Sequence, residues 1–368
     1  MIYKTLIRPW LFRQDPEVSH EYVSSLLETA QESSILKNLT GALCNYRDRR
    51  LEIKLFGLDF PNPVGLAAGF DKNAHLTQMM PLLGFGFIEI GTVTRKAQQG
   101  NPKPRLFRLP EDAALINRLG FNNDGADALA ARLQRAEKAP VPLGINIGKN
   151  KDTSVDDALQ DYLYSFAQLF LYGDYFVINV SSPNTPELRK LQEKERLSEL
   201  LGALSKLNTE LASEGATHER PILVKIAPDL SWAQLDDVLT VITDRRISGV
   251  IATNTTIQRA GLRTSGEIVN EAGGLSGAPL AQRSNEIIAY IAKHTQRKLP
   301  IIGVGGVFTV EDALAKLRAG ASLIQIYTGL IYEGPMIVKR INRDLVKKIK
   351  RARVKHIGEL IENERDRI

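Results

Sequence analysis

From residue 62 onward the chain repeats one pattern, an apolar run followed by a stretch with apolar positions at helical spacing. The runs fall at residues 62–69, 85–93, 142–148, 175–182, 221–228, 249–255, 300–306 and 323–329. Most are rich in Val, Ile and Leu without alternation, as expected of strands covered on both faces. Between them, helical patterns occupy residues 124–137, 198–213, 231–243, 285–294 and 310–319. Eight βα units predict an α/β protein built as a (β/α)8 TIM barrel. The competing doubly wound sheet usually has fewer strands and a glycine-rich turn after the first, and Gly65-Leu66-Ala67-Ala68-Gly69 does not match that dinucleotide fingerprint. Beyond the alternation there is no convincing sequence repeat.

The first forty residues follow a different pattern. Ile2, Tyr3, Leu6, Ile7, Trp10, Leu11 and Phe12 form an apolar cluster broken by Lys4, Arg8 and Arg13. It is too interrupted for a membrane span or a secretory signal. Asp15-Pro16-Glu17 then reads as N-cap, first-turn proline and first-turn acid of a helix in which Val18, Tyr22, Val23, Leu26, Leu27 and Ala30 make one stripe. Two short amphipathic helices are expected in residues 1–45, ahead of a barrel spanning 46–368. They either pack on the barrel or lie on a bilayer surface, with Trp10 at the interface.

Composition adds limits. The chain of 368 residues is 43% hydrophobic and 24% charged, which suits a soluble globular core. A single cysteine, Cys44, excludes an internal disulfide, gives no zinc-site signal and fits a reducing compartment. The net charge of 48 − 42 = +6 is uneven: residues 339–355 carry nine Lys/Arg against one acid, and residues 356–368 come to −2, leaving zero for the rest. Because Ile341, Leu345, Ile349 and Ala352 recur within the basic stretch and no aromatic residue interleaves with it, it reads as the solvated face of a terminal helix rather than a nucleic-acid surface.

In a barrel the chemistry sits at the C-terminal ends of the strands. Those ends carry residues 67–72, Thr92, Asn146, residues 179–184, Lys225, residues 253–255, Gly305-Gly306 and Tyr327-Thr328-Gly329, a polar set above apolar strands. The two small-residue loops after strands seven and eight point to a phosphate-bearing cofactor, although tight turns alone would account for either. Neither contains a P-loop lysine. Lys225 ends an apolar strand, so it needs a partner. That partner is either an electron-rich cofactor such as a flavin, whose reduced form it would stabilise, or an acid.

Five ordered motifs then carry a resemblance: residues 67–72 (AAGFDK), 117–122 (NRLGFN), 179–185 (NVSSPNT), 273–277 (GGLSG) and 303–307 (GVGGV). Together they resemble dihydroorotate dehydrogenases of class 2, the membrane-associated, quinone-reducing enzymes of pyrimidine (UMP) biosynthesis, over nearly the whole chain. The resemblance implies FMN across Ala67, Ala68, Gly69, Thr92, Asn146, Asn179, Lys225, Thr253, Gly277 and Gly306, with Tyr327 and Thr328 at its phosphate. It implies dihydroorotate held by Lys72, Asn117, Arg118, Leu119, Gly120, Phe121, Asn179, Asn184, Asn254 and Thr255. Ser182 would be the base, where class 1 has a cysteine, and Thr185 is a candidate neighbour in the proton relay. The extension would reach the membrane and admit quinone. The implied setting is the periphery of a bacterial membrane on its cytoplasmic face, with no metal and no nucleic acid.

Two other readings use the same residues differently. Another flavin barrel, such as a hydroxy-acid oxidase, is expected to place a histidine base at a strand end, and none of His20, His75, His218, His294 and His356 stands there. A non-catalytic, membrane-associated binding protein would need only the terminal helices.

Overall fold

The computed structural model describes residues 2–365. Eight parallel strands close a barrel: β1 (Val64–Leu66), β2 (Phe87–Val93), β3 (Leu143–Ile147), β4 (Tyr175–Asn179), β5 (Ile222–Ile226), β6 (Gly249–Ala252), β7 (Ile301–Val304) and β8 (Leu323–Ile326). Each lies within one of the expected apolar runs, and every residue of all eight is buried. The runs overshoot the strands because the chain leaves the sheet at the C-terminal ends to build loops.

Glycine shapes the barrel axis at two points. A Cβ on Gly65 would lie 2.3 Å from the Phe87 ring and one on Gly144 2.1 Å from the Tyr175 ring, so these glycines make room for aromatic filling. An antiparallel hairpin, Ile53–Leu55 with Leu58–Phe60, plugs the lower end, where Phe60 meets Phe87 edge-on at 5.4 Å. At the opposite end a three-stranded antiparallel sheet (Leu106–Leu109, Ala114–Asn117, Gly274–Gly277) joins segments far apart in sequence.

The five expected helices are present as Ala126–Arg135, Lys194–Glu214, Trp232–Asp244, Ala281–His294 and Val310–Ala319. Ser231 with Gln234, and Thr309 with Asp312, form capping boxes that fix two of the starts. Ala158–Leu169 is a further barrel helix without a sequence expectation. The basic stretch lies in the helix Ile337–Ala352, whose Ile341, Leu345 and Ile349 are buried.

The extension comprises a π-helical turn Tyr3–Ile7 running into Arg8–Phe12, then Pro16–Gln31, then a third helix, Ser34–Cys44, beyond the two expected. Asp15 caps the second by accepting from Glu17 N and Val18 N at 2.8 and 3.1 Å. The expected single stripe divides: Val18, Tyr22 and Leu26 are about half exposed, at 50, 49 and 53%, whereas Val23 and Leu27 turn inward. A bidentate pair of Arg105 with Glu17, at 2.6 and 3.0 Å with both residues buried, ties the helix to the barrel.

Candidate active site at the strand ends

One cavity at the C-terminal ends of the strands gathers most of the expected residues. Ala67, Ala68, Gly69 and Lys72 after β1, Thr92 in β2, Asn179 at the end of β4 with Ser182 and Asn184 after it, Lys225 in β5, and Thr253, Asn254 and Thr255 after β6 all line it. So do Asn117, Leu119, Gly120, Phe121, Gly277, Gly306, Tyr327 and Thr328. Asn146 sits just beneath, fully buried. Arg118 is the exception: its side chain turns outward to Glu271, to the carbonyls of Pro104 and Ala272, and over the Phe107 ring. An acid and an aromatic face outside the cavity hold the guanidinium better than the cavity wall.

The polar groups are ordered by one another. Asn179 Nδ2 donates to Thr92 Oγ1 at 2.8 Å and Asn146 Oδ1 at 3.2 Å, and Thr92 Oγ1 donates to the same Asn146 oxygen at 2.5 Å. Asn254 Nδ2 donates to Ser181 Oγ at 2.9 Å, which in turn donates to Asn179 Oδ1 at 3.0 Å. Asn184 Nδ2 reaches Asn117 Oδ1 at 3.2 Å. The Thr92 hydroxyl comes from β2 and the amides from β3, β4 and the segments above, so rigid strands fix a donor-rich wall.

Ser182 is buried, and its Oγ accepts from Asn184 N at 3.2 Å. Thr185, three residues on, is also buried, and its Oγ1 has no hydrogen-bond partner. Lys72, one of two lysines lining the cavity, is pushed down to about 8 by burial, against the opposing pull of Glu17. Lys225 has an acidic partner, Glu89 Oε1, at 3.4 Å, so the acid alternative is realised while the lysine still lines the cavity.

The loops after β7 and β8 contribute Gly305, Gly306, Val307, Thr328 and Gly329 to one end of the cavity. Gly306 has φ +70°, and a Cβ there would lie 2.5 Å from the Cβ of Ala281. Thr328 Oγ1 is 2.8 Å from Ser276 Oγ. A slot with a lysine at one side, amides below and small-residue loops at its end fits a flat, polar ring bearing a phosphate.

A second, apolar cavity lies behind Tyr327, between the barrel and the extension. Tyr3, Leu11, Phe12, Val23, Leu27, Phe70, Met80, Leu106 and Leu330 line it, with His20 and Arg108 as polar members. Tyr327 borders both cavities. Phe70 meets Tyr327 edge-on at 5.9 Å, and His20 meets Phe70 at 4.8 Å. Burial, helped by Lys72, pushes His20 down to about 4, so its ring is neutral.

The sequence model described as Dihydroorotate dehydrogenase matches residues 50–349. The chain belongs to the dihydroorotate dehydrogenase family. A Gloeobacter violaceus protein named dihydroorotate dehydrogenase (quinone) is 53% identical over 352 residues, covering 96% of each chain. One from Chloroflexus aurantiacus with the same name is 52% identical over 94% of this chain and 96% of its own. These names place the chain in the quinone-dependent class 2 of the family, a group of flavin-dependent oxidoreductases. The dihydroorotate dehydrogenase of Eimeria tenella, solved in complex with ferulenol, superposes with a TM-score of 0.85 at 38% identity, covering 95% of this chain and 96% of that one.

Residues outside the sequence expectation also line or border the two cavities. Gln325 and Ser276 line the first cavity, Glu89 lies below it, and His20 and Arg108 lie in the second. Glu89 and Gln325 had a signal, each being one polar residue inside an apolar strand. His20 and Arg108 had none, since what singles them out is a cavity formed between separate segments.

Proposed function

We propose that this protein oxidises dihydroorotate to orotate, passing the electrons through FMN to a membrane quinone, as a step of pyrimidine biosynthesis. The observation that carries this reading is the pair of cavities meeting at Tyr327, one polar and anion-ready, the other apolar. FMN would rest on residues 67–69, Thr92, Asn179, Lys225 and Thr253, above Asn146, with its phosphate at Gly277, Gly306, Tyr327 and Thr328. When bound, FMN supplies the hydride acceptor, N5, and relays the electrons to quinone.

The chain's own groups then have defined tasks. The Lys72 ammonium meets the substrate carboxylate, while Asn117, Asn179, Asn184, Asn254, Thr255 and the backbone of residues 119–121 satisfy its carbonyl and N–H groups. Ser182 takes the proton from the carbon beside a ring carbonyl. Serine is a weak base, so its own proton must leave as the new one arrives, and the unpartnered Thr185 hydroxyl is the neighbouring relay, taking that proton as it passes its own on toward solvent. The Asn184 N–H fixes one Ser182 lone pair and so orients the hydroxyl.

On the other side, residues 1–45 serve as the quinone entrance and residues 46–368 as the FMN-binding barrel. Eleven of the fifteen large exposed hydrophobic side chains among the described residues fall between Ile2 and Leu43, including Trp10, Tyr22 and Leu39. Such a patch suits the surface of a bilayer. Among the described residues no helix is long and apolar enough to cross a membrane. Lying on the cytoplasmic face of a bacterial membrane, the apolar cavity would take the quinone from lipid, with His20 and Arg108 available to its ring carbonyls. The test is dihydroorotate-dependent reduction of a quinone analogue by protein that releases FMN on heating. Reduction of fumarate or NAD in its place, or protein that binds no flavin, would refute the reading.

A further inference from the structure

Directly beneath the polar cavity, the barrel axis carries a carboxylate that the reaction steps above do not use. Glu89, in β2, is 0% exposed. Asn146 Nδ2 donates to its Oε1 at 2.8 Å, Gln325 Nε2 to its Oε2 at 2.5 Å, and Lys225 Nζ stands 3.4 Å from Oε1. A charge placed here is costly. Replacing a buried ion pair with apolar groups is often neutral or stabilising, so packing alone gives little reason for it. The geometry is also uneven: two neutral amides hold the carboxylate closely, whereas the ammonium keeps one longer contact and faces the cavity.

We infer that Glu89 is the counter-charge of the flavin site, offsetting the positive field of Lys225 and thereby lowering the affinity for reduced relative to oxidised FMN. The inference rests on the FMN reading. Two electrons arriving with one proton as a hydride leave the acceptor ring negative, and an unopposed Lys225 would hold that form tightly. Tight holding would favour uptake of electrons from dihydroorotate and hinder their delivery to quinone. A fully enclosed carboxylate acts on this balance with little screening by salt. Glu89 does not line the cavity, so it is a positioning residue for charge and not a catalytic one.

The test is the midpoint potential of bound FMN in Glu89→Gln, which removes the charge and nearly keeps the shape, together with the dissociation constants of oxidised and reduced FMN. The expected result is at least a tenfold gain in preference for reduced FMN, equal to an upward shift of about 30 mV for a two-electron couple. Reoxidation by quinone should slow, while reduction by dihydroorotate should not. An unchanged potential in folded, flavin-loaded protein would make Glu89 structural. A downward shift would make it merely an anchor whose loss misplaces Lys225, and either result overturns the inference. Should Glu89→Gln not fold, Glu89→Asp decides: it withdraws the charge by one methylene and should raise the potential by less, and no rise refutes the counter-charge. Failure of wild-type protein to bind FMN would instead refute the function on which the inference rests.

Discussion

The two cavities that share Tyr327 are held together in opposite ways. Around the polar one, Thr92, Asn146, Asn179 and Glu89 are each no more than 5% exposed and satisfy one another across adjacent barrel strands. The apolar one is walled on one side by helices that are themselves half exposed. They are tied down at many separate points, by the Glu17–Arg105, Lys4–Glu333 and Glu21–Lys103 pairs and by bonds such as Gln31 Nε2 to the His75 carbonyl at 2.6 Å, Tyr3 Oη to the Ile331 carbonyl at 2.5 Å and Arg8 Nη1 to the Tyr332 carbonyl at 3.1 Å. Proton and hydride chemistry requires groups fixed to fractions of an ångström. Admitting a long, lipid-borne molecule requires instead an apolar surface that lipid can reach. The same chain supplies both by building one site on strands and the other on an appended layer.

The sharpest way to separate the two sites is Ser182→Ala. Flavin reduction by dihydroorotate should fall by about 10²–10⁴-fold in rapid-mixing absorbance, with FMN content and reoxidation by quinone unchanged. A normal reduction rate would remove Ser182 from the mechanism. On the other side of Tyr327, Glu17→Gln leaves Arg105 buried without its counter-charge, at a cost of about 3 kcal/mol. Faster amide exchange in Pro16–Gln31 and slower quinone reoxidation should follow, with flavin reduction nearly unaffected. Equal loss of both half-reactions would mean that the two cavities are not separable.

This contrast also explains what could be read in the sequence. All eight strands were legible because burial on both faces turns a strand into an unbroken apolar run, and most of the polar cavity's lining followed because polar residues end those runs. Arg118 was misplaced because its position in a substrate-facing segment says nothing of an outward partner such as Glu271. The sheet over the barrel mouth joins Asn117 to Gly274, a pairing without any local signal. In the extension, helical spacing of Val18, Tyr22, Val23, Leu26 and Leu27 gives one broad stripe, and only the packed barrel shows that Val23 and Leu27 face inward while the others face solvent. The helix Ser34–Cys44 had a signal, Ile35, Leu36, Leu39 and Leu43 at helical spacing behind the Ser33 N-cap, which an expectation of two helices did not include.

Two smaller effects depend on titration. The Lys72 ammonium, present below about 8, is lost as pH rises through that value, so kcat/KM for the dihydroorotate anion should fall on the alkaline side. Lys72→Arg should move that limb upward, and Lys72→Ala should raise KM about tenfold or more. Smallest is the effect of His20. Its folded value of about 4 lies below the ordinary 6.5, so between these values the unfolded chain binds a proton that the folded chain refuses. Stability should therefore be lost as pH falls through that window, by about 2 kcal/mol at about pH 5, and His20→Phe should flatten the loss in urea titrations.

The central claim is that one molecule runs two half-reactions in two cavities that meet at Tyr327. It is tested most directly by removing residues 1–31 and following both half-reactions on the same flavin-loaded preparation, with circular dichroism confirming the barrel. The account predicts flavin reduction by dihydroorotate at nearly the full rate, together with loss of liposome binding and of reoxidation by long-tail quinones. Reoxidation at the normal rate in the folded, truncated protein would contradict it and place the quinone entrance elsewhere.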